Sequence, residues 1–133
     1  MIPLIVGVTS HRNIPAREVE SIRLRVREFF AQLQRDFPHT PLVVISALAE
    51  GGDRLAAEEA LRCGADLIAP LPLPRDLYVS DFADTASRAS FDALCEQAHV
   101  IELPLMPAST PATVAHAGVE RDRQYAQAGV FIA

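Results

Sequence analysis

The chain contains no lysine and no tryptophan, and all 12 of its basic residues are arginine. The missing lysine excludes a Walker-type phosphate loop, a Schiff-base mechanism and a lysine-held pyridoxal cofactor together. Arginine is left as the only permanent cation for gripping phosphate or carboxylate. Positive charge is scarce as well: 17 acidic residues bring the formal charge to −5, with an isoelectric point near 5.3. That balance argues against nucleic-acid binding by charge, because a phosphate backbone needs a net basic face. No apolar run reaches ~18 residues, so no membrane-spanning helix is expected. The opening MIPLIVGV lacks a basic n-region and a cleavage-like site, so no signal peptide is read there. There are two cysteines, Cys63 and Cys95, and their spacing fits no metal motif. Without an export signal they are expected to be reduced and packed, and the chain to be cytoplasmic. No metal or cofactor is implied.

What is present is one domain's worth of chain: 133 residues, half of them hydrophobic, enough for a real core over 1–133. Ile2 to Val8 is a short continuous apolar run, as in a strand buried on both faces. Asn13-Ile14-Pro15 signals a helix start. Val19, Ile22, Val26, Phe29, Leu33 and Phe37 then recur at three- and four-residue steps, which predicts a long amphipathic helix ended by Pro38. Leu42 to Ile45 reads as a second strand. A small-residue turn follows from Ser46, and Asp53 is expected to cap an Ala-rich helix that stops at Gly64. Leu67 to Ala69 reads as a third strand closed by Pro70, and 74–82 as a compact loop or single turn. Ser87 to Ala98 predicts a helix, Val100 to Leu103 a fourth strand, Pro104 to Thr113 a linker and His116 to Ile132 a last helix. This alternation predicts an α/β Rossmann-like three-layer sandwich, with a mostly parallel sheet of about four strands and helices on both faces. Ligands in such sheets sit at the carboxyl ends of the strands.

Three groups of residues fall at those ends. After strand one come Thr9, Ser10, His11 and Arg12, whose hydroxyls and guanidinium suit an anion; as a plain polar turn they would do nothing. After strand two come Glu50, Gly51, Gly52, Asp53 and Arg54. A small-residue turn opening a helix offers free N–H groups, while the two carboxylates suit ribose hydroxyls or a base rather than phosphate. Gly51-Gly52 also has a purely geometric reading, and Arg54 one as a first-turn surface residue. After strand three, Tyr78 either stacks on a base or packs its loop. The run Glu120 to Arg123 reads as a solvated face, with Arg121 able to point toward the cleft. Catalytic machinery is hard to assemble. The nearest to it is His11 with Glu50 or Asp53 as an acid/base pair.

Val43 to Pro74 resembles the core of DNA-processing protein A (the Smf family). The places of Ser46, Ala47, Ala49, Gly51, Asp53, Gly64 and Tyr78 match its strand, turn, helix and strand, and Gly7 and Arg12 fit its opening. Nearly the whole chain resembles bacterial members of the wider Smf/Lonely-Guy superfamily. The likeness is carried by Ser10-His11-Arg12, the block Leu48 to Ala56, Asp81-Phe82, and Tyr125 with Gly129 to Ile132. The resemblance implies a sheet of order 4-3-2-1 and binding of a nucleotide or nucleotide-derived ligand. The PGGxGTxxE motif of the Lonely-Guy hydrolases is not in this chain, and the basic surface by which DNA-processing proteins hold single-stranded DNA is lacking. The relatives continue past Ile132 into strands beside strand one. Without them, strand one would be a long apolar edge, which proteins avoid. The expectation is therefore either a piece of a longer protein or a homodimer paired through strand one.

Three functional readings follow. The first is a nucleotide-binding or sensing domain, with Thr9, Ser10 and Arg12 on phosphate, Gly51 and Gly52 approaching the ligand with their backbone, Glu50 or Asp53 on ribose or base, and Arg54 as a second phosphate contact. The second is an N-glycosidic or phosphoribosyl hydrolase using Glu50 or Asp53. The third is a non-catalytic oligomerisation domain.

Overall fold

A computed structural model describes residues 2–133. Strands β1 (Leu4–Gly7), β2 (Leu42–Ile45), β3 (Asp66–Leu71) and β4 (His99–Glu102) form one sheet. All pairs are parallel and the order is β1-β2-β3-β4, the order that the resemblance implies. The helices are α1 (Ala16–Asp36), α2 (Gly52–Arg62), α3 (Arg75–Tyr78), α4 (Thr85–Gln97), α5 (Pro111–Val114) and α6 (Val119–Ile132). None is long and apolar enough to cross a membrane.

Strands laid down in spatial order, each joined by a right-handed crossover, put every crossover helix on the same face. Accordingly α1 packs on α2, and α2 on α4. The side chains beneath them, Leu42, Val44, Leu67, Ala69 and Leu71, are buried together with Phe30, Phe91 and Leu94. Alternation along the strands turns Ile5, Gly7, Val43, Ile45 and Ile68 to the other face. There α6 is the cover, and it reaches β1 where Ile132 lies against Gly7. Val43, Ile45 and Ile68 are only half-buried, and Ile5 is exposed.

Several element ends differ from the sequence reading. β3 runs through Pro70 to Leu71. Ser46 donates to Ile68, so even-numbered β3 residues face β2; by Pro70, β2 has already turned away and no donor is missed. Asp53 is not the α2 cap: Gly51 occupies that position without a side-chain bond, and Asp53 lies in the first turn. α4 begins earlier than expected because the Asp84 side chain accepts from the Ser87 amide, a normal helix cap. The Pro104–Thr113 linker ends in the single turn α5, closed by a Thr110/Thr113 capping box.

Glu59 holds α1 to α2. It is 1% exposed and accepts from Arg27 Nε at 3.0 Å and Nη2 at 3.1 Å, and from Arg23 Nη1 at 3.2 Å. The Arg27 hydrogen bonds, helped by Arg23 and opposed by burial, hold its carboxyl below the ordinary range. A depressed folded-state pKa contributes stability that is complete above the unfolded value of about 4.3 and lost as pH falls through the folded one. Glu59→Gln is therefore expected to cost roughly 2–3 kcal/mol at pH 7. In urea titrations the gap to the parent should hold from neutral pH down to about pH 4.3 and close as pH falls further.

Candidate functional site

The carboxyl ends of β1, β2 and β3 open into a cavity of about 200 Å³. Thr9, Ser10 and Arg12 line it from the loop after β1, and Ala47, Ala49 and Asp53 from the turn after β2. Pro72 and Tyr78 contribute from beyond β3, and Tyr125, Ala128, Gly129 and Ile132 from α6. Arg12 and Asp53 are its only charged lining residues among those described. The rest of the wall is mainly apolar.

Two glycines shape this mouth. Gly51 has φ +88°, and a Cβ there would lie 2.3 Å from the Arg12 carbonyl oxygen and 2.6 Å from that of His11. A Cβ on Gly52 would lie 2.5 Å from Ser10 Oγ. The segment Ser10–Arg12 is thus laid directly over the start of α2, and the Gly52 amide donates to the His11 carbonyl at 3.2 Å. This corrects one expectation. The glycine pair brings its backbone close to the β1 loop, and the first amide of α2 is spent inside the protein.

The same crossing aims Ser10 at Asp53, whose Oδ1 accepts from Ser10 Oγ at 2.6 Å. Burial pushes the Asp53 carboxyl above its ordinary value, against the pull of Ser10, the Ala49 amide and Arg12. Glu50 has the opposite balance. Burial would raise its pKa, but the Ser87 hydroxyl, the Ala83 amide, Arg54 and Arg12 outweigh it and leave the carboxyl below its usual range. Arg12 stands at the mouth with its side chain 44% exposed, 3.7 Å from Glu50. It also donates to the Asp81 carbonyl at 3.1 Å. One loose ion pair and one exposed hydrogen bond leave this guanidinium available to an incoming anion.

Arg54 is buried, neither a surface residue nor part of the cavity wall. Its Nε donates to the Leu48 carbonyl at 2.9 Å, and its Nη1 to the Ser87 carbonyl and hydroxyl at 2.8 Å each. Its guanidinium carbon lies 4.3 Å from the centre of the Phe82 ring. It is committed to the protein interior, which removes it as a second phosphate contact. It also secures Leu48, which is held in the left-handed region at φ 59°, a conformation costing about 1–2 kcal/mol for a non-glycine residue.

Tyr78 has no exposed surface, and its hydroxyl donates to the Ala47 carbonyl at 2.9 Å. Packing, the second of its two readings, describes it: the ring lies edge-on to Phe82 and Phe91. Burial pushes its phenol above the ordinary value. His11 is exposed, and its side chain makes no hydrogen bond among the described residues, so the His11–carboxylate pair is not assembled.

The charge run on α6 is not a solvated face throughout. Arg121 is 5% exposed and pairs with Asp81 at 2.8 Å, while Tyr125 donates to the same carboxylate. Gln124 is fully buried and bonds the carbonyls of Pro72 and Pro104 and the Met106 amide. These contacts fix α6 over the strand ends. The sequence reading missed Asp81 and Gln124 as site-building residues. The available signal was the spacing 121-124-128-132, a single helical face whose polar members hide its inward direction.

No protein-family model, curated protein or solved structure matches the chain.

Two substitutions test the crossing. Gly51→Ala is expected to cost about 2 kcal/mol or more, from left-handed strain plus collision with the Arg12 carbonyl. Ser10→Ala is expected to cost about 1–2 kcal/mol at pH 7. Its deficit should narrow in acid, as pH falls through the raised Asp53 pKa and the carboxylate that Ser10 serves becomes neutral. Denaturant melts across pH measure both.

Proposed function

We propose that this domain binds a nucleotide or nucleotide-derived ligand at the carboxyl ends of β1–β3. The observation that carries the reading is the cavity with a single accessible cation, Arg12, at its mouth and the Ser10–Asp53 pair inside. About 200 Å³ is below the roughly 300–1,000 Å³ of pockets that enclose drug-sized ligands. The cavity therefore suits one ring of the ligand, with the phosphate left outside against Arg12, Thr9 and the Ser10 loop. A carboxylate beside a hydroxyl accepts and donates hydrogen bonds, which suits ribose hydroxyls or a base edge. The resemblance of Ser10–Arg12 and Leu48–Ala56 to the Smf/Lonely-Guy superfamily supports the same ligand class, in a cytoplasmic sensor.

A second reading, hydrolysis of an N-glycosidic or phosphoribosyl bond, draws its support from Asp53. Its carboxyl is raised and lines the cavity, as a general base requires. Glu50 is tied to Ser87 and Ala83 and held ionised, so it is the weaker candidate.

Thermal unfolding against nucleosides, nucleotides, cyclic dinucleotides and ADP-ribose-like compounds tests both. A ligand at ~100 times its dissociation constant adds about 2.7 kcal/mol, a shift of about 10 °C for a domain of this size. Arg12→Ala should abolish the advantage of phosphorylated over unphosphorylated ligands. Gly129 lines the cavity, and a Cβ there meets nothing within 4 Å. Gly129→Leu should therefore fold as well as the parent, or better by up to ~1 kcal/mol, while losing every ligand shift. Absence of any shift in the parent protein would refute the binding reading. Product release from a shifting ligand, abolished in Asp53→Asn with binding retained, would establish the hydrolase.

A further inference from the structure

We infer that two copies of this chain pair antiparallel through β1, in a register centred on Val6, to form a continuous eight-stranded sheet. β1 is the edge strand: among the described residues its only partner is β2. The amides of Leu4 and Val8 donate to Pro41 and Ile45, so even-numbered residues spend their backbone groups on β2. Strand alternation then turns the N–H and C=O groups of Ile5 and Gly7 outward. This edge is short, but Leu4–Gly7 has no charge, no proline and no bulge to protect it.

The backbone selects the register. Centred on Val6, an antiparallel pair sets Ile5 of each copy opposite Gly7 of the other, so all the outward donors and acceptors are matched. Val6 faces its counterpart as the non-hydrogen-bonded pair. Centred on Ile5, Gly7 would face Pro3, which has no N–H to give. In the chosen register the exposed Ile5 side chain (57%) comes beside Gly7, next to the Ile132 end of α6 that covers it.

The area argument favours a second copy over a foreign strand. A stable interface covers roughly 800 Å² on each partner, more than four residues of strand supply, so the occupant must also cover what flanks the edge. On the crossover face that flank belongs to α1, in which Phe30 is the only fully buried residue. Arg23 and Arg27 turn toward α2 through Glu59. At 100° per residue, Phe29 therefore lies on the opposite flank, beyond β1, and it is 51% exposed. A two-fold axis normal to the sheet keeps both α1 helices on one face and brings their Phe29 flanks together. Symmetry thus closes strand edge and helix flank at once, and two-fold pairing is the commonest closed assembly. The inference does not depend on the ligand reading, since the edge lies outside the cavity.

Sedimentation equilibrium of the full chain at ~50 μM decides it. The expected mass is twice the 14.5 kDa of one chain. Ile5→Pro removes an N–H that only the second copy would use, and Ile5→Lys adds an edge charge. Both should halve the mass while retaining the parent circular dichroism. Val6→Cys tests the register: facing non-hydrogen-bonded residues have Cα atoms about 4.5 Å apart, within disulfide range. Oxidation should give a covalent dimer that the parent, with Cys63 and Cys95, does not form. A parent at 14.5 kDa overturns the proposal and leaves the edge to a strand of another chain. So does a dimer that survives both Ile5 substitutions, and failure of Val6→Cys to cross-link overturns the register.

Discussion

Between the Gly51 α-carbon and the backbone of His11 and Arg12 there is no room for a side chain. A Cβ at Gly51 would approach the Arg12 carbonyl oxygen to 2.3 Å. Most of the candidate site depends on this close crossing. It lays the loop after β1 across the start of α2, which puts the Ser10 hydroxyl on the Asp53 carboxylate and Arg12 in front of Glu50. It also consumes the Gly52 amide, so the positive end of α2 is not presented bare to a ligand. The cation at the mouth is consequently a half-exposed side chain, whereas a phosphate loop would offer backbone amides.

Around that crossing, arginines act as structural ties, Arg54 and Arg121 from buried positions. Arg54 joins the Leu48 turn to the start of α4 through three hydrogen bonds and a stack on Phe82. Arg121 joins α6 to Asp81. Arg23 and Arg27 join α1 to Glu59. A planar guanidinium with five donors can satisfy several carbonyls at once and stack on an aromatic ring, which a lysine ammonium does poorly. Several of the twelve arginines are thereby committed to the fold, and Arg12 is the one the cavity can use. A protein of net charge −5 can in this way still present a positive charge to an anion.

The strand order explains both the site and the open edge. Sequential parallel strands send α1, α2 and α4 to one face and leave α6 to cover the other. Because Ile132 reaches Gly7, α6 closes the carboxyl ends while Ile5 stays exposed. One cavity wall and one uncovered edge are therefore products of the same topology.

Local patterns were enough for the element order and the parallel sheet, while the strand order was an implication of the resemblance. Apolar runs, helical spacing and the Gly64 stop depend on neighbours in sequence, and βα alternation leaves few topologies. The places of Thr9, Ser10, Arg12 and Asp53 at strand ends were legible for the same reason. What Arg54, Arg121 and Gln124 do was not, because a polar residue in a helical pattern reads as solvated until its carbonyl or carboxylate partner is known. Asp53 likewise has the composition of a helix cap, and only the arrival of Ser10 from 43 residues away gives its carboxylate a different partner. The sequence by itself determined which segments form strands and helices, since those choices are made by local sterics and periodicity. Only the tertiary structure decided which polar groups are buried, which glycine meets which backbone and which cation remains free, because each depends on groups brought together across the chain.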